Sequence, residues 1–344
     1  MKIIMFLILL TISLTGCKKN EISIPPANQV KSIVDYSNNY DTLYFQNIEY
    51  ILYNPYKKSG NLELKGSMHN HTNNSAPVDG YGSGDPVWVA KKLRDEGNFD
   101  FYTFTDHNFI TPDPEIGDII WMGAAIEDTK NGHHICAYNL PTYKYIDKGE
   151  NLFDILNYYN SIGAFTSVAH PNWKYTYLKA ETANKISKLH FMEVLVPNDT
   201  KGHRCLDVLR SNGLITFSLG VDDFHYNEEW ENPNRYFNKS WIIAFAEEKE
   251  KTSIWKSLLS GSFYVTNGPA IKISFNNGIL NIKSNTESTV SYISYTLDGI
   301  QDTISINYTF DASYNWSNNL LWVRAEVINS NGIAFTQAIH LVED

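Results

Sequence analysis

The sequence predicts an α/β fold of mainly parallel strands, followed by a small all-β unit. Three observations carry this. From Leu62 to Ser260, short apolar runs alternate with segments of helical periodicity, the strand-then-helix order of a parallel sheet. After Gly261 the helical pattern stops, and strand-like runs separated by Asn- and Gly-containing turns take over. In the first part, His, Asp and Glu recur just after the apolar runs, where the carboxyl ends of parallel strands share one face.

The chain has 344 residues, enough for two domains. With 43% apolar and 19% charged residues the composition is globular. The formal net charge is −10 and no basic run exceeds two residues, which argues against a grip on duplex nucleic acid. A small phosphorylated substrate stays open, because metal ions can supply local positive charge. Aromatic residues make up 14% of the chain, which fits a β-rich core better than a sugar-binding surface.

Met1-Lys2 is a short basic start and Ile3 to Leu14 is almost wholly apolar. That run is shorter than the roughly 20 residues a membrane span needs. Leu14-Thr15-Gly16-Cys17 resembles the bacterial lipoprotein signal, in which the Cys is lipidated and becomes the new N-terminus. The resemblance implies removal of residues 1–16, a lipid on Cys17, and export to the periplasmic or cell-surface side of a bacterial membrane. Residues 17–60 then form a polar tether and first strands. Cys136 and Cys205 lie in apolar segments and read as buried free thiols; no Cys-x-x-Cys occurs.

Asp41 to Tyr53 holds one or two strands, and Leu62 to Met68 another that runs into His69. A polar loop, Thr72 to Gly84, precedes a helix with Asp85 as N-cap, Pro86 at its first position and Gly97 as its stop. Further strands are expected at Phe99 to Thr105, Ile119 to Ile126, His134 to Tyr138, Ala164 to Ala169, Phe191 to Val196, Leu214 to Leu219 and Trp241 to Phe245. Helices are expected at Asn151 to Ser161, Ala180 to Leu189, His203 to Ser211 and Thr252 to Ser260. The C-terminal runs Ile271 to Phe275, Ile279 to Ile282, Val290 to Leu297, Ile304 to Phe310, Leu320 to Val327 and Ala334 to Leu341 suggest a β-sandwich. The domains expected are thus 61–265 and 266–344.

His69 and His71 lie one residue apart, so on extended backbone both rings reach one side. The candidates that join them are Asp79, His107, Glu127, His134, His170, Asp223 and His225. All offer nitrogen or oxygen, a donor set suited to Zn, Mn or Fe. A carboxylate such as Glu127 can bridge two ions, and two ions about 3.5–4 Å apart can hold one hydroxide and clamp an in-line displacement. Asp106 reads as a residue that orients a ligand, and Glu193 as either a site-lining residue or one at the surface or core edge.

The stretches His69-Asn70-His71-Thr72, Thr105-Asp106-His107-Asn108, Ile126-Glu127, His134 to Tyr138, Ala169-His170-Pro171 and Asp223-Phe224-His225 together resemble the polymerase-and-histidinol-phosphatase (PHP) superfamily of metal-dependent phosphoesterases. The match runs from about Leu62 to Phe245. It implies a distorted seven-stranded β/α barrel with two or three divalent ions. One ion would be held by His69, His71, Glu127 and Asp223, a second by Glu127, His134 and His170. A third would take His107, His225 and a loop carboxylate, Asp79 rather than the capping Asp85. His69, His71, Glu127, Asp223 and His225 would be the catalytic set. Leu258 to Pro269 resembles the junction to a C-terminal β-domain in a PHP subgroup that includes carbamate hydrolases. The expected activity is phosphoester hydrolysis by a metal-bridging hydroxide. An amide or carbamate hydrolase and a non-catalytic surface-binding lipoprotein are the alternatives, so the substrate would be a small phosphorylated or carbamoyl compound.

Overall fold

The computed structural model describes residues 39–75, 84–129, 132–141, 151–173, 177–197, 202–226 and 236–343. Cys17 and Asp79 lie outside the described residues. The fold is mixed α/β, with strands predominating.

Strands β1 (Tyr40–Phe45) and β2 (Ile48–Tyr53) form a hairpin. Its two-residue turn, Gln46-Asn47, has positive φ at both positions, which suits the twist of paired strands. Next come β3 (Leu62–Ser67) and helix α1 (Pro86–Asp95). The Asp85 carboxylate accepts from the Val87 and Trp88 amides and caps α1, as expected from the Asp-Pro pair. After α1 come β4 (Phe101–Tyr102), β5 (Ile120–Trp121), β6 (Ala125–Asp128), β7 (Ile135–Tyr138) and α2 (Leu152–Ser161). The chain continues through β8 (Phe165–Val168), α3 (Ala180–Ala183), β9 (Phe191–Leu195), α4 (His203–Ser211), β10 (Phe217–Gly220), β11 (Trp241–Ala246), α5 (Lys251–Leu259) and β12 (Phe263–Thr266). The last six strands are β13 (Ile271–Asn276), β14 (Ile279–Thr296), β15 (Gln301–Asn315), β16 (Leu320–Asn329), β17 (Gly332–Thr336) and β18 (Ile339–Glu343).

Four expectations are corrected. The apolar run Ile119 to Ile126 is not one strand: β5 and β6 belong to different sheets, and Gly123, at φ +109°, sits between them. Few other residues adopt that angle. The helix expected from Ala180 to Leu189 is a single turn, without a side-chain cap on its start. The two runs from Ile279 to Leu297 are one long strand, β14, while Ala334 to Leu341 divides into β17 and β18. The strand order is also only partly parallel: β3–β4–β5 and β8–β9–β10 are parallel, whereas β7 is antiparallel to β6 and β8, and β11 to β3. Glu127 to Cys136 spans few residues, too few for a crossover helix, so β6 and β7 can only pair as a hairpin.

The strands fall into two sheets. One runs β10-β9-β8-β7-β6. The other runs β5-β4-β3-β11-β12-β17-β16-β18-β2-β1, with β13, β14 and β15 branching from β16. Two single-residue bridges join the sheets at the carboxyl ends of their strands, Asn70 with Phe224 and His107 with Glu127. One apolar core lies around β6 to β10, α2 and α4; a second lies among the C-terminal strands with Tyr50, Leu52 and Tyr56. Close to the first bridge, Gly66 lies against the Phe101 ring, where a Cβ would come within 1.9 Å of it. Among the described residues no helix is long and apolar enough to cross a membrane.

Candidate metal centre

The two bridges place the site. At the first, His71 N–H donates to the Phe224 carbonyl (3.0 Å) and Phe224 N–H to the His69 carbonyl (3.3 Å). The central residues point away: the Asn70 amide bonds to Ser67 and Thr103, and Phe224 packs in the apolar cluster of α1. Their neighbours, His69 and His71 on one side and Asp223 and His225 on the other, therefore turn inward together. At the second bridge, Asn108 N–H donates to the Glu127 carbonyl (2.9 Å) and Glu127 N–H to the Asp106 carbonyl (3.2 Å), which sets His107 beside Glu127.

Glu127 is fully buried at the centre. Its Oε2 meets Nε2 of His107 (2.8 Å), His69 (3.2 Å) and His71 (3.3 Å); its Oε1 meets His134 Nδ1 (2.7 Å) and His170 Nε2 (3.1 Å). Asp223 Oδ1 lies 3.2 Å from His69 Nε2 and 3.1 Å from His71 Nε2, and those two nitrogens are 3.0 Å apart. His225 stacks on His71, with ring centroids 4.1 Å apart, and its Nδ1 donates to the Asp223 carbonyl (3.0 Å). Of the residues read from the sequence, His69, His71, His107, Glu127, His134, His170, Asp223 and His225 thus converge. Among the described residues, ligand atoms within 4.8 Å of one another form the groups His69–His71–Glu127–Asp223, His107–Glu127–His134, His71–His107–His225 and, on the Nδ1 side of His69, His69–Cys136–Glu193. His170 joins through Glu127 rather than through a group of its own. Asp85 does not join; its carboxylate stays on the helix amides.

Residues behind the site fix the ring orientations. Ser75 Oγ donates to Asp106 (2.8 Å), so it accepts from His71 Nδ1 (3.0 Å) and from the His107 amide (3.0 Å). Asp106 also accepts from the Thr72 amide (2.6 Å) and hydroxyl (2.8 Å) and from the Thr111 hydroxyl. It holds Ser75 and touches no ligand ring. Glu193, fully buried in β9, accepts from His69 Nδ1 (2.7 Å) and from the His170 amide (2.7 Å). Ser75 gave no signal in the sequence; Glu193 gave one, a carboxylate in a strand of otherwise apolar residues. Asp222 faces backwards and accepts from the amides of Asn238, Lys239 and Ser240, which leaves Asp223 to the site. Asp223 and His170 have positive φ, 50° and 25°, an arrangement that costs side-chain-bearing residues energy and collects at functional sites.

The electrostatics describe a donor set gathered without enough positive charge. Burial opposes the charge of Glu127 and Asp223, yet the surrounding imidazoles hold both carboxyls well below the usual range. Burial likewise opposes protonation of His69, His71 and His170, but their neighbours outweigh it and raise all three: Cys136 and then Glu193, Glu127 and Asp223 at His69, Asp223 and Glu127 at His71 (to about 9), and Glu127 first at His170. His225, buried beside His71, falls to about 3. Protons drawn onto these rings stand where a cation would. Divalent ions fit this donor set: Nδ1 of His69 and of His71 is already engaged, which directs each Nε2 at the shared carboxylates. Cys136 Sγ lies 3.7 Å from His69 Nδ1, and burial pushes its thiol up to about 12. Neither Cys136 nor Cys205 forms a disulfide, and both are buried.

No family model matches the chain, and no curated protein does. Among solved structures it is similar to a two-domain protein from Bacteroides vulgatus containing a predicted PHP-like metal-dependent phosphoesterase. The two superpose with a TM-score of 0.42 at 15% identity, over 80% of this chain and 95% of that one.

Proposed function

We propose that the protein is a metal-dependent hydrolase and that its reaction is phosphoester hydrolysis. One observation carries the proposal: ring nitrogens of five histidines close on a single buried carboxylate, Glu127, at 2.7–3.3 Å. A stability role accounts poorly for this, because so many half-satisfied buried ionisable groups destabilise a fold. His69, His71, Glu127 and Asp223 would hold one ion, and Glu127, His134 and His170 a second. His107 and His225, with Asp79, would hold a third. Bound there, divalent ions supply a nucleophile from water at neutral pH and neutralise charge on the transferred group.

The chain's own part is positional. Glu127 spans both main sets through its two oxygens. Asp223, 26% exposed at its side chain, lies at the open side of the cluster and could take a proton from a nucleophile. Buried Asp106 and Glu193 keep the rings in place.

The ring β3, β4, β6 to β10, closed by the bridges Asn70–Phe224 and His107–Glu127, supports a strongly distorted seven-stranded barrel. The separate apolar cores support a division near residue 265 into barrel and β-sandwich. The signal at Cys17 supports export and lipid anchoring.

The test is direct. Purified full-length protein loaded with Mn or Zn is assayed on bis(p-nitrophenyl) phosphate and on an aryl carbamate, with metal content measured on the same sample. Two or three ions per chain and faster turnover of the phosphodiester are expected. Turnover of the carbamate alone would move the reaction to the other bond class, and a chain that binds no metal would overturn the proposal.

A further inference from the structure

We infer that Glu193 is a positioning residue that couples the two main ligand sets, and that its loss weakens both at once. The inference rests on the metal reading above and goes beyond it, because Glu193 is in neither set. Two contacts carry it. Glu193 Oε1 takes His69 Nδ1 at 2.7 Å, and Glu193 Oε2 takes the backbone N–H of His170 at 2.7 Å. His69 belongs to the set with His71 and Asp223; His170 lies on the other oxygen of Glu127. One side chain on β9 therefore fixes a ring at the end of β3 and a backbone at the end of β8.

Each contact has a distinct consequence. A carboxylate oxygen only accepts, so His69 must carry a proton on Nδ1, and its Nε2 is the atom left to bind a cation. At His170 the contact holds backbone rather than ring. His170 sits at φ +25°, in a region that a residue with a Cβ adopts only when its surroundings over-determine it. The trans-bonded Pro171 that follows limits the alternatives further. Without the carboxylate, the His170 amide loses this restraint, with the Trp173 N–H on the His170 carbonyl still in place, and the ring is held less firmly at Glu127. Glu193 is also fully buried, with both oxygens engaged inside the site.

Glu193→Gln is the informative change, because it keeps the volume. Its amide has one accepting oxygen and one NH₂, so it satisfies only one of the two donors. If the NH₂ faces His69, the ring must present Nδ1 as acceptor and move its proton to Nε2, which removes the metal lone pair. If the NH₂ faces His170, the amide is left opposite another donor.

The experiment compares wild type, Glu193→Gln and His134→Ala as full-length chains. Zn or Mn binding is measured by calorimetry, the His69 Nδ1–H by ¹⁵N-imidazole NMR, and the melting of the metal-free proteins by calorimetry. Affinity at both main sites should fall roughly 10–100-fold in Glu193→Gln, whereas His134→Ala should weaken one. The His69 Nδ1–H signal should disappear in Glu193→Gln where the NH₂ faces the ring and persist where it faces His170, with metal-free melting lowered by less than the loss in metal binding. Affinities within about twofold of wild type would overturn the inference. So would a loss matched by an equal loss of metal-free stability, which would mark a structural role alone. A wild type that binds no metal but shows His69 Nδ1–H, lost in Glu193→Gln, would sink the hydrolase reading and leave the positioning role standing. A wild type with no proton on Nδ1 would sink the positioning role whatever the metal content.

Discussion

Two clusters of charged groups are buried in this chain, and they are built differently. Where α4 meets β16, Arg324 donates from Nε and Nη2 to both oxygens of Asp207 (3.0 and 2.8 Å) and from Nη1 to Glu326 (2.6 Å). Asp207 is held low in pKa despite burial, by Arg324 first. Acid and base balance there, and the fork geometry of Arg matches the carboxylate. Around Glu127, two carboxylates face six imidazoles, and neighbouring nitrogens oppose each other at 3.0 Å. In the first cluster each carboxylate has a guanidinium partner, although Nε and Nη2 of Arg210 stay buried without a hydrogen bond. In the second, rings and carboxylates crowd one another with no Lys or Arg among them, a donor set compatible with a cation. Burial of charge is therefore no sign of function by itself; an unbalanced donor set is.

Exchanging the fates of the two clusters tests that contrast. His69→Ala and Asp223→Ala should each remove at least one ion and lower phosphodiester turnover by about 10³-fold or more, since a metal contributes several kcal/mol to the transition state. The fold should stay intact by circular dichroism. Unchanged rates would refute the assignment. Asp207→Asn should act in the opposite way. It leaves Arg210 buried without its carboxylate and Arg324 with Glu326 alone, and breaking such a pair costs about 3–5 kcal/mol. Denaturant unfolding should show that loss, with the number of bound ions unchanged. If Asp207→Asn emptied the metal site, the two clusters would be one network and the contrast would fail.

Much of this arrangement could be read from the sequence, and the reason is local. His69 and His71 sit two apart around the bridged Asn70, so their shared direction follows from strand periodicity; Asp223 and His225 flank the bridged Phe224 in the same way, although Asp223 itself turns at φ +50°. The cap of α1 was legible because Asp85-Pro86 is a local device, and α4 because its apolar stripe and its Asn212-Gly213 stop coincide. What escaped is set by long-range pairing. Nothing in Ile119 to Ile126 announces that Gly123 sends β5 and β6 to different sheets. Nothing in the chain order reveals that β2 pairs with β18, or that the ladder passes through β12 into β17. Ser75 was invisible because a hydroxyl contributes through its partners, Asp106 and His71, which lie elsewhere in the sequence or reach it only through a turn.

His190 sharpens the contrast from a third side, as a buried imidazole with no carboxylate partner. Its Nδ1 accepts from the Thr166 amide (3.1 Å), and burial, helped by Lys188, pushes its pKa down to about 3. The folded state therefore binds fewer protons than the unfolded state between about pH 6.5 and pH 3. Stability is full above that window and is lost as pH falls through it, by up to about 1.4 kcal/mol per pH unit. Between pH 7 and pH 5, wild type should lose about 2 kcal/mol more than His190→Asn, whose amide oxygen can still accept from Thr166. Equal slopes in denaturant titrations at the two pH values would show that His190 is not held neutral.

The smallest effect concerns the two acidic residues of the loop after His71. Asp85 accepts two amide hydrogen bonds at the start of α1, so its carboxylate is committed to backbone. Asp85→Ala should cost about 1 kcal/mol of stability, the usual worth of an N-cap, and leave metal content untouched. Asp79→Asn should do the reverse, lowering bound metal by one ion with little effect on unfolding. If instead Asp85→Ala released an ion, the helix cap would be a role Asp85 gives up when metal binds, and the line between charges that serve the fold and charges that await a cation would run through a single residue.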